Sequence, residues 1–434
     1  MNIREFGAVG DGRQDDTQAI QDAVQRGEGL LRFPLGTYRI IRPIAIDLDI
    51  WGRLALSGER GLAKIVMAGP GPAFLIRGSH EGTASPESIT PEVLDVQRFP
   101  TIDGIEIQGA HPEADGIRLE GLWQPHLTSV YVHDCRHGIH VTGRNRNLLI
   151  SHCHIHNNSG AGVFYDRLNL HQSNIVGSHI SYNKRGGIRV VESEIRNFQI
   201  TGNDIEYNFD PEASESADIW IDTLSSSIRE GTISSNTIQA LPSPGGVNVL
   251  FRGRGGTVRH KAGLWTISGN LITNQMNNIR LEHTRGVTIT GNAFGSAREH
   301  ALVLEHCDSI VAGSNSFDHN EDYRVPMGGG AFLRDCTGCN ISGSLFTLGQ
   351  AAPPFSRAVV ELHGCAEVNM TGCQILDPAP AGLLLADSRN CLVSGCMILD
   401  RREPPKMTDA VLVEGGSGHV FSGNNVSILQ CPVP

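Results

Sequence analysis

The sequence contains no apolar run approaching the roughly 18 residues that a membrane-spanning helix needs, and no long block of either charge. No membrane helix is therefore expected. Positive charge is also scarce: 46 acidic residues stand against 35 basic ones, a formal net charge of −11. Nucleic acid is unexpected as a partner, because phosphate binding by counterion release needs a basic face. A mildly acidic surface suits neutral or weakly charged glycans, with local arginines left to hold a uronate or sulfate. Met1 runs straight into Ile3, Arg4, Glu5 and Phe6 without the basic, apolar and small-residue succession of a secretory leader. The protein is thus expected to be either intracellular or exported and read from after its leader. With 39% hydrophobic and 19% charged residues, disorder, collagen and coiled coil are poor descriptions.

What the chain does have is a repeat. Thr201-Gly202-Asn203, Ser234-Ser235-Asn236, Ser268-Gly269-Asn270, Thr290-Gly291-Asn292 and Gly313-Ser314-Asn315 share one pattern. Ser342-Gly343-Ser344, Thr371-Gly372-Cys373, Ser394-Gly395-Cys396 and Ser422-Gly423-Asn424 continue it. The intervals between marks are unequal, which implies that loops of variable length leave one side. Short alternating segments flank each mark, as in Val287-Thr288-Ile289, and no helical period intervenes. Gly supplies the bend, and Asn can bond the chain locally or stack on the Asn of the next coil. A second element, apolar at alternate positions, recurs at Gly116–Glu120, Gly138–Thr142, Gly162–Asp166, Gly187–Val191, Asp218–Asp222 and Asn278–Glu282. Period two sends its apolar pair inward and the intervening residues outward.

These features predict an all-β fold: a single-stranded right-handed parallel β-helix over residues 1–434, a solenoid whose regular coils run from about residue 100. Leucine-rich repeats and propellers lack support, since the leucine consensus, its helices and four strands per blade are all missing. Residues 1–45 read as an amino-terminal cap and first strands. Within it, Asp15-Asp16-Thr17 followed by Ala19, Ile20, Ala23 and Val24 predicts a short capped helix ending near Gly27. Residues 79–100, rich in Ser, Thr, Pro and Glu, read as an exposed excursion. Of the ten cysteines, Cys307, Cys336 and Cys365 recur at equal intervals, while Cys373 and Cys396 occupy another equivalent position. Stacked buried thiols are expected there, not bridges or a metal.

The stretch Phe6-Gly7-Ala8-Val9-Gly10-Asp11-Gly12, then Asp15-Asp16-Thr17 with Ala19-Ile20-Gln21, then Phe33-Pro34-Leu35-Gly36-Thr37-Tyr38, resembles the amino-terminal signature of the pectate-lyase superfamily of β-helix proteins. It is similar also to the start of many phage tail-spike proteins and of mannuronan epimerase modules. The resemblance implies a parallel β-helix with a glycan lying across one strand sheet. It transfers no catalytic set: the Asn-Thr-Asp, Asp-Asp and Gly-His-Gly motifs of polygalacturonases and the Asp-Pro-His motif of the epimerases are missing.

Aligned outward positions give Arg118 and Glu120, His140, Phe164 and Asp166, Arg189, Trp220 and Asp222, then Arg280 and Glu282, and Glu305. Outward charges ordinarily mark a solvated face, but here carboxylates, arginines and aromatics alternate along one stripe. Neighbouring strands lie ~4.8 Å apart, which sets Asp166 and Asp222, two coils apart in this alignment, near the ~6.5–9.5 Å of inverting glycosidases. Glu282 and Glu305, one coil apart, fit a retaining pair or a Ca²⁺ site. The Asp166 and Asp222 pair is preferred as catalytic, with Trp220 as a sugar platform and Arg189 as an anion clamp.

Polar residues crowd the segment from Asp166 through His171 and Gln172 to Lys184, Arg189, Glu194 and Arg196. Glu194 is a further candidate acid. His171, Gln172, Lys184, Arg196, Arg280 and Glu282 are candidate substrate contacts. His152, His154 and His156 alternate, but first and third would stand ~13 Å apart on a strand, too far for one ion. Trp123, His126 and Tyr131 read as surface or turn residues. No cofactor is required, although Ca²⁺ could bind. Hydrolysis of a glycan is expected ahead of β-elimination, with a non-catalytic glycan-binding or structural role, an epimerase and a fructosyl transferase as alternatives. Exposed lateral faces would suit a homotrimer.

Overall fold

The computed structural model describes residues 1–223, 225–255, 261–323, 328–347 and 356–427. It is an all-β parallel solenoid, as the repeat predicts. The chain forms two compact units. The first comprises Met1–Asp210, Ile219–Ile221 and Ser225–Gly231; the second comprises Pro211–Asp218, Asp222–Leu224 and Thr232–Pro434. In both, most coils contribute three strand segments that pair in parallel with the equivalent segments of the next coil.

Three faces result in the first unit. The first face includes strands Gly71–Arg77, Ala114–Glu120, the opening of Ile139–Ser151 and of Val163–Val176, and Ile188–Val191. The second runs through His126–Thr128, the later parts of Ile139–Ser151 and Val163–Val176, and Glu194–Thr201. The third holds Glu106–Gly109, Tyr131–His133, His154–His156, His179–Ser181 and Asp204–Glu206. Inward positions stack in apolar rows, as in Ile107, Val132, Ile155, Ile180 and Ile205, all fully buried.

The recurrent Gly-Asn mark is the turn between the second and third faces. Gly269 and Gly291 stand at φ of 62° and 64°. A Cβ on Gly269 would meet nothing within 4 Å, so backbone conformation and not crowding selects glycine. In the second unit the asparagines form a ladder. The Asn236 amide N–H donates to Asn270 Oδ1 (3.0 Å) and Asn270 N–H to Asn292 Oδ1 (3.1 Å), while Asn270 Nδ2 donates to the Ile233 carbonyl (3.0 Å). Asn270 is buried, so truncation strands a donor on Asn236 and an acceptor on Ile233. Asn270→Ala should lower unfolding free energy by about 2–3 kcal/mol, read as a lower urea midpoint at unchanged slope; an unchanged midpoint would contradict the ladder's role. Beyond it, Phe294, Phe317 and Phe346 stack inside the coils with centroids 4.5 and 4.3 Å apart.

Thiols follow the same rule. Cys307, Cys336, Cys365, Cys373 and Cys396 are buried and free, and each Sγ donates to backbone carbonyls.

The amino-terminal signature proves to be a cap. Helix Thr17–Arg26 ends at Gly27. Its side chain Gln21 donates to the Ala45 carbonyl and accepts from the Ala45 N–H, both at 2.9 Å. These bonds satisfy the backbone of strand Ile44–Asp47, which would otherwise be an open edge. Asp16 stands at the N-cap position, yet its carboxylate accepts from Val9 (2.7 Å) and Gly10 (3.0 Å), not from the helix. A Cβ on Gly10 would come within 2.7 Å of the Tyr38 ring. The signature thus encodes a packed end, which explains why it speaks to fold and not to reaction.

The excursion at 79–100 is only partly exposed. His80, Val93 and Gln97 are buried, and Arg144 and Arg146 donate to the carbonyls of Gly82 and Thr83, both at 2.8 Å. Trp123, read as a surface or turn residue, is buried between His80 and the Arg146 guanidinium. An aromatic ring loses too much by exposure to stay there when a loop can cover it.

Candidate functional site

On the first face of the first unit the outward positions align into a column. Register pairs Arg118 with His140, His140 with Phe164 and Phe164 with Arg189. The Arg189 guanidinium then lies 4.3 Å from the Trp220 ring centroid. A second column beside it runs Glu120, Thr142, Asp166, Val191. His140 Nε2 lies 3.3 Å from Asp166 Oδ2, and Arg167 approaches the other carboxylate oxygen at 3.2 Å. Phe164 is flanked by two imidazoles, His137 at 4.7 Å and His140 at 5.1 Å, both stacked.

Burial favours the neutral form of both histidines. Burial pushes His137 down to about 4. Its Nδ1 accepts the Ala161 N–H at 3.1 Å, which requires that nitrogen to be unprotonated. Burial, then the Arg118 charge, lowers His140 as well. Beneath them Asp115 is locked by Arg136 through two bonds of 2.9 and 2.6 Å. His140 Nδ1 and Trp220 Nε1 are buried polar atoms without a protein partner among the described residues.

Farther along the same strands lies a cavity of about 370 Å³ lined by Asn147, Leu148, Leu149, Gln172, Asn174, Asn197 and Gln199. Asn147, Gln172 and Asn197 stand at φ of 55°, 66° and 54°, at a bend within strands Ile139–Ser151, Val163–Val176 and Glu194–Thr201. Their equal spacing along the chain was a sequence signal for this row of amides. Asn, tolerant of the left-handed region, can hold such a bend and still present its amide outward.

The predicted contacts fall as follows. Arg189 and Trp220 touch on the first face, and Asp166 stands in the adjacent column against His140 and Arg167. Gln172 lines the cavity. His171 pairs in register with Arg196 and lies 3.3 Å from the Asn197 amide nitrogen. Arg196 is engaged, donating to the Ser227 carbonyl (2.8 Å) and hydroxyl (3.2 Å). Glu194 is exposed and accepts from Asn169 at 3.2 Å. Lys184 sits on the exposed turn ahead of strand Ile188–Val191. His152 is not part of an alternating strand: it turns at φ 54°, and the strand begins at His154.

In the second unit, Arg252 bridges Glu215, Asp222 (3.4 Å) and Glu282 (3.3 Å). Arg280 reaches Glu282 and Glu305, each at 2.7 Å, and Arg334 reaches Glu305 at 3.2 Å. Asp222, Arg280 and Glu282 therefore belong to a charge ladder whose members neutralise one another. A cavity of about 280 Å³ adjoins it, lined in part by Arg280, His300, Glu305, Phe332 and Arg334.

A right-handed β-helix family model matches residues 93–238 and 214–398, more than half of the sequence. The chain belongs to the right-handed β-helix family. A second model, described as rhamnogalacturonase A/epimerase, pectate lyase-like, matches residues 1–59, the cap whose residues carry the resemblance. Among solved structures, the pre-mature bacteriophage phi29 gene product 12 aligns at TM-score 0.56 and 12% identity, over 98% of this chain and 56% of its own. The Dettilon tailspike protein aligns at TM-score 0.51 and 14% identity, over 95% and 68%. This β-helix thus spans about half of the phi29 protein's length, and at such identities the likeness is one of fold. No curated protein matches the sequence.

Proposed function

We propose that this β-helix binds a polysaccharide or oligosaccharide along the first face of its first unit and cleaves it by glycosidic hydrolysis. One observation carries the reading: a ring-and-arginine column, a histidine–aspartate pair and an amide-lined cavity occupy the same consecutive coils. Phe164, partly exposed, offers apolar surface to a sugar ring, whereas Trp220 is buried under the Arg189 guanidinium; convergent neutral amides suit hydroxyl groups. The column from Arg118 to Trp220 covers four inter-strand steps, roughly 19 Å, long enough for several sugar units.

Asp166 is the proposed acid–base carboxylate. Glu120 stands two strands away in the same column, with backbones roughly 9–10 Å apart. That separation is compatible with inversion, in which one carboxyl group protonates the leaving oxygen and the other activates a water. A second reading, β-elimination on a uronate, draws support from His140, whose burial favours the neutral form, as base and from Arg118 and Arg189 as partners for the sugar carboxylate.

A panel of neutral and uronate-containing polysaccharides tests both. New reducing ends without ultraviolet absorbance are expected. Reducing ends with ultraviolet-absorbing unsaturated sugars would replace hydrolysis by elimination, and binding without new ends would make this a non-catalytic glycan-binding protein.

A further inference from the structure

The third face of the first unit carries a different chemistry. Strands His154–His156, His179–Ser181 and Asp204–Glu206 pair so that His154, His179 and Asp204 form one outward row. Ser181 and Glu206 lie side by side in the next row. His179, Asp204 and Glu206 each offer a ligand atom, and those atoms lie within 4.8 Å of one another. His179 Nδ1 is 3.3 Å from Asp204 Oδ2. Two ligands each ~2.0–2.1 Å from a tetrahedral ion are themselves about 3.3 Å apart, so this pair already has the edge length of a coordination shell. Asp204 Oδ1 is buried, and the Asp204 carboxyl lies against that of Glu206. His154 stacks on His179 from the preceding coil at 5.8 Å and 19°, restricting the imidazole's rotation.

We propose that His179, Asp204 and Glu206 bind a divalent transition-metal ion of the Zn²⁺, Co²⁺ or Mn²⁺ class, with water completing its shell. An imidazole nitrogen with two carboxylates matches these ions. Ca²⁺ takes six to eight oxygens, and three protein donors including a nitrogen supply too few. The parallel register is what builds the site: His179 and Asp204 are a full coil apart in sequence and adjacent in space. Because the donors come from successive coils, the ion would also clamp one coil to the next. The site shares no residue with the proposed glycan face.

The test uses the full chain, freed of metal by chelator and dialysed. Zn²⁺ is titrated by calorimetry and Co²⁺ by visible absorption. One equivalent should bind, with Co²⁺ bands of nitrogen and oxygen ligation. His179→Ala, Asp204→Asn and Glu206→Gln should each weaken binding roughly tenfold or more with an unchanged circular dichroism spectrum. His156→Ala, on the same face but outside the three donors, should bind as the parent does. The proposal is overturned if the folded parent binds neither ion, if Glu206→Gln, which preserves shape and fold, binds with undiminished affinity, if Ca²⁺ is preferred over Zn²⁺, or if Co²⁺ shows thiolate charge-transfer bands.

Discussion

Asp166→Asn is expected to reduce turnover of the cleaved glycan roughly a thousandfold while leaving KM and the melting temperature nearly unchanged. The substitution keeps the side chain's shape and removes its charge and its capacity to take a proton. The carboxylate is mostly buried and contacts His140 and Arg167, of which Arg167 is largely exposed. Asparagine keeps an acceptor oxygen in place, and the Arg167 end of the pair is solvated, where ion pairs contribute about 0–1 kcal/mol, so stability should respond far less than turnover. A large kinetic loss with a small thermal one is therefore the signature of chemistry. Full activity in Asp166→Asn would remove this residue from the mechanism. Two companion variants separate the reaction types. Glu120→Gln should be nearly as inactive as Asp166→Asn under hydrolysis, whereas His140→Ala should lose most under β-elimination and retain measurable hydrolysis.

The second large effect is acid destabilisation, read from urea midpoints between pH 7.5 and 4. His80, His137 and His300 each fall from 6.5 to about 4, in every case chiefly through burial. Below 6.5 the unfolded chain takes up protons that the folded chain refuses until about 4. The stability of the folded state is therefore full above 6.5 and declines as pH drops through that window. A fall of this size corresponds to on the order of 3 kcal/mol for one histidine, so the three together make a steep decline. Glu361 extends it at lower pH. Burial would raise this carboxyl, but His363 and the backbone N–H groups of Arg357 and Ala358 overcome that and hold it at about 2. Its contribution is present above 4.5 and lost as pH falls toward 2. His300→Gln should flatten part of the pH 6.5 to 4 decline; an equally steep profile in that variant would rule His300 out as a source.

Much of the fold was legible because its code is local. Period-two apolar pairs such as Ile117 and Leu119 point inward in any parallel coil, and Gly-Asn turns recur wherever a left-handed backbone and a ladder amide are needed. The cap was equally legible, since Asp16, Gly10 and Tyr38 are chosen by short-range packing. Less of the candidate site was legible. Asp166, Arg189 and Trp220 were visible as outward residues, and the amides of Asn147, Gln172 and Asn197 had a constant spacing. Neither fact says which side chains touch.

Contacts across coils depend on register, and the interval between coils changes with the length of each loop. Sequence by itself determined the β-helix, its inward rows, its thiol stacks and its capped beginning, because each follows from nearest-neighbour backbone geometry. Only the tertiary structure decided that Trp123 is covered by a returning loop and that His152 leaves the strand. It also set His179 beside Asp204, and gave Asp222, Arg280 and Glu282 arginine or glutamate partners. Those outcomes rest on separations across coils, which interstrand hydrogen bonds fix and which no local pattern encodes.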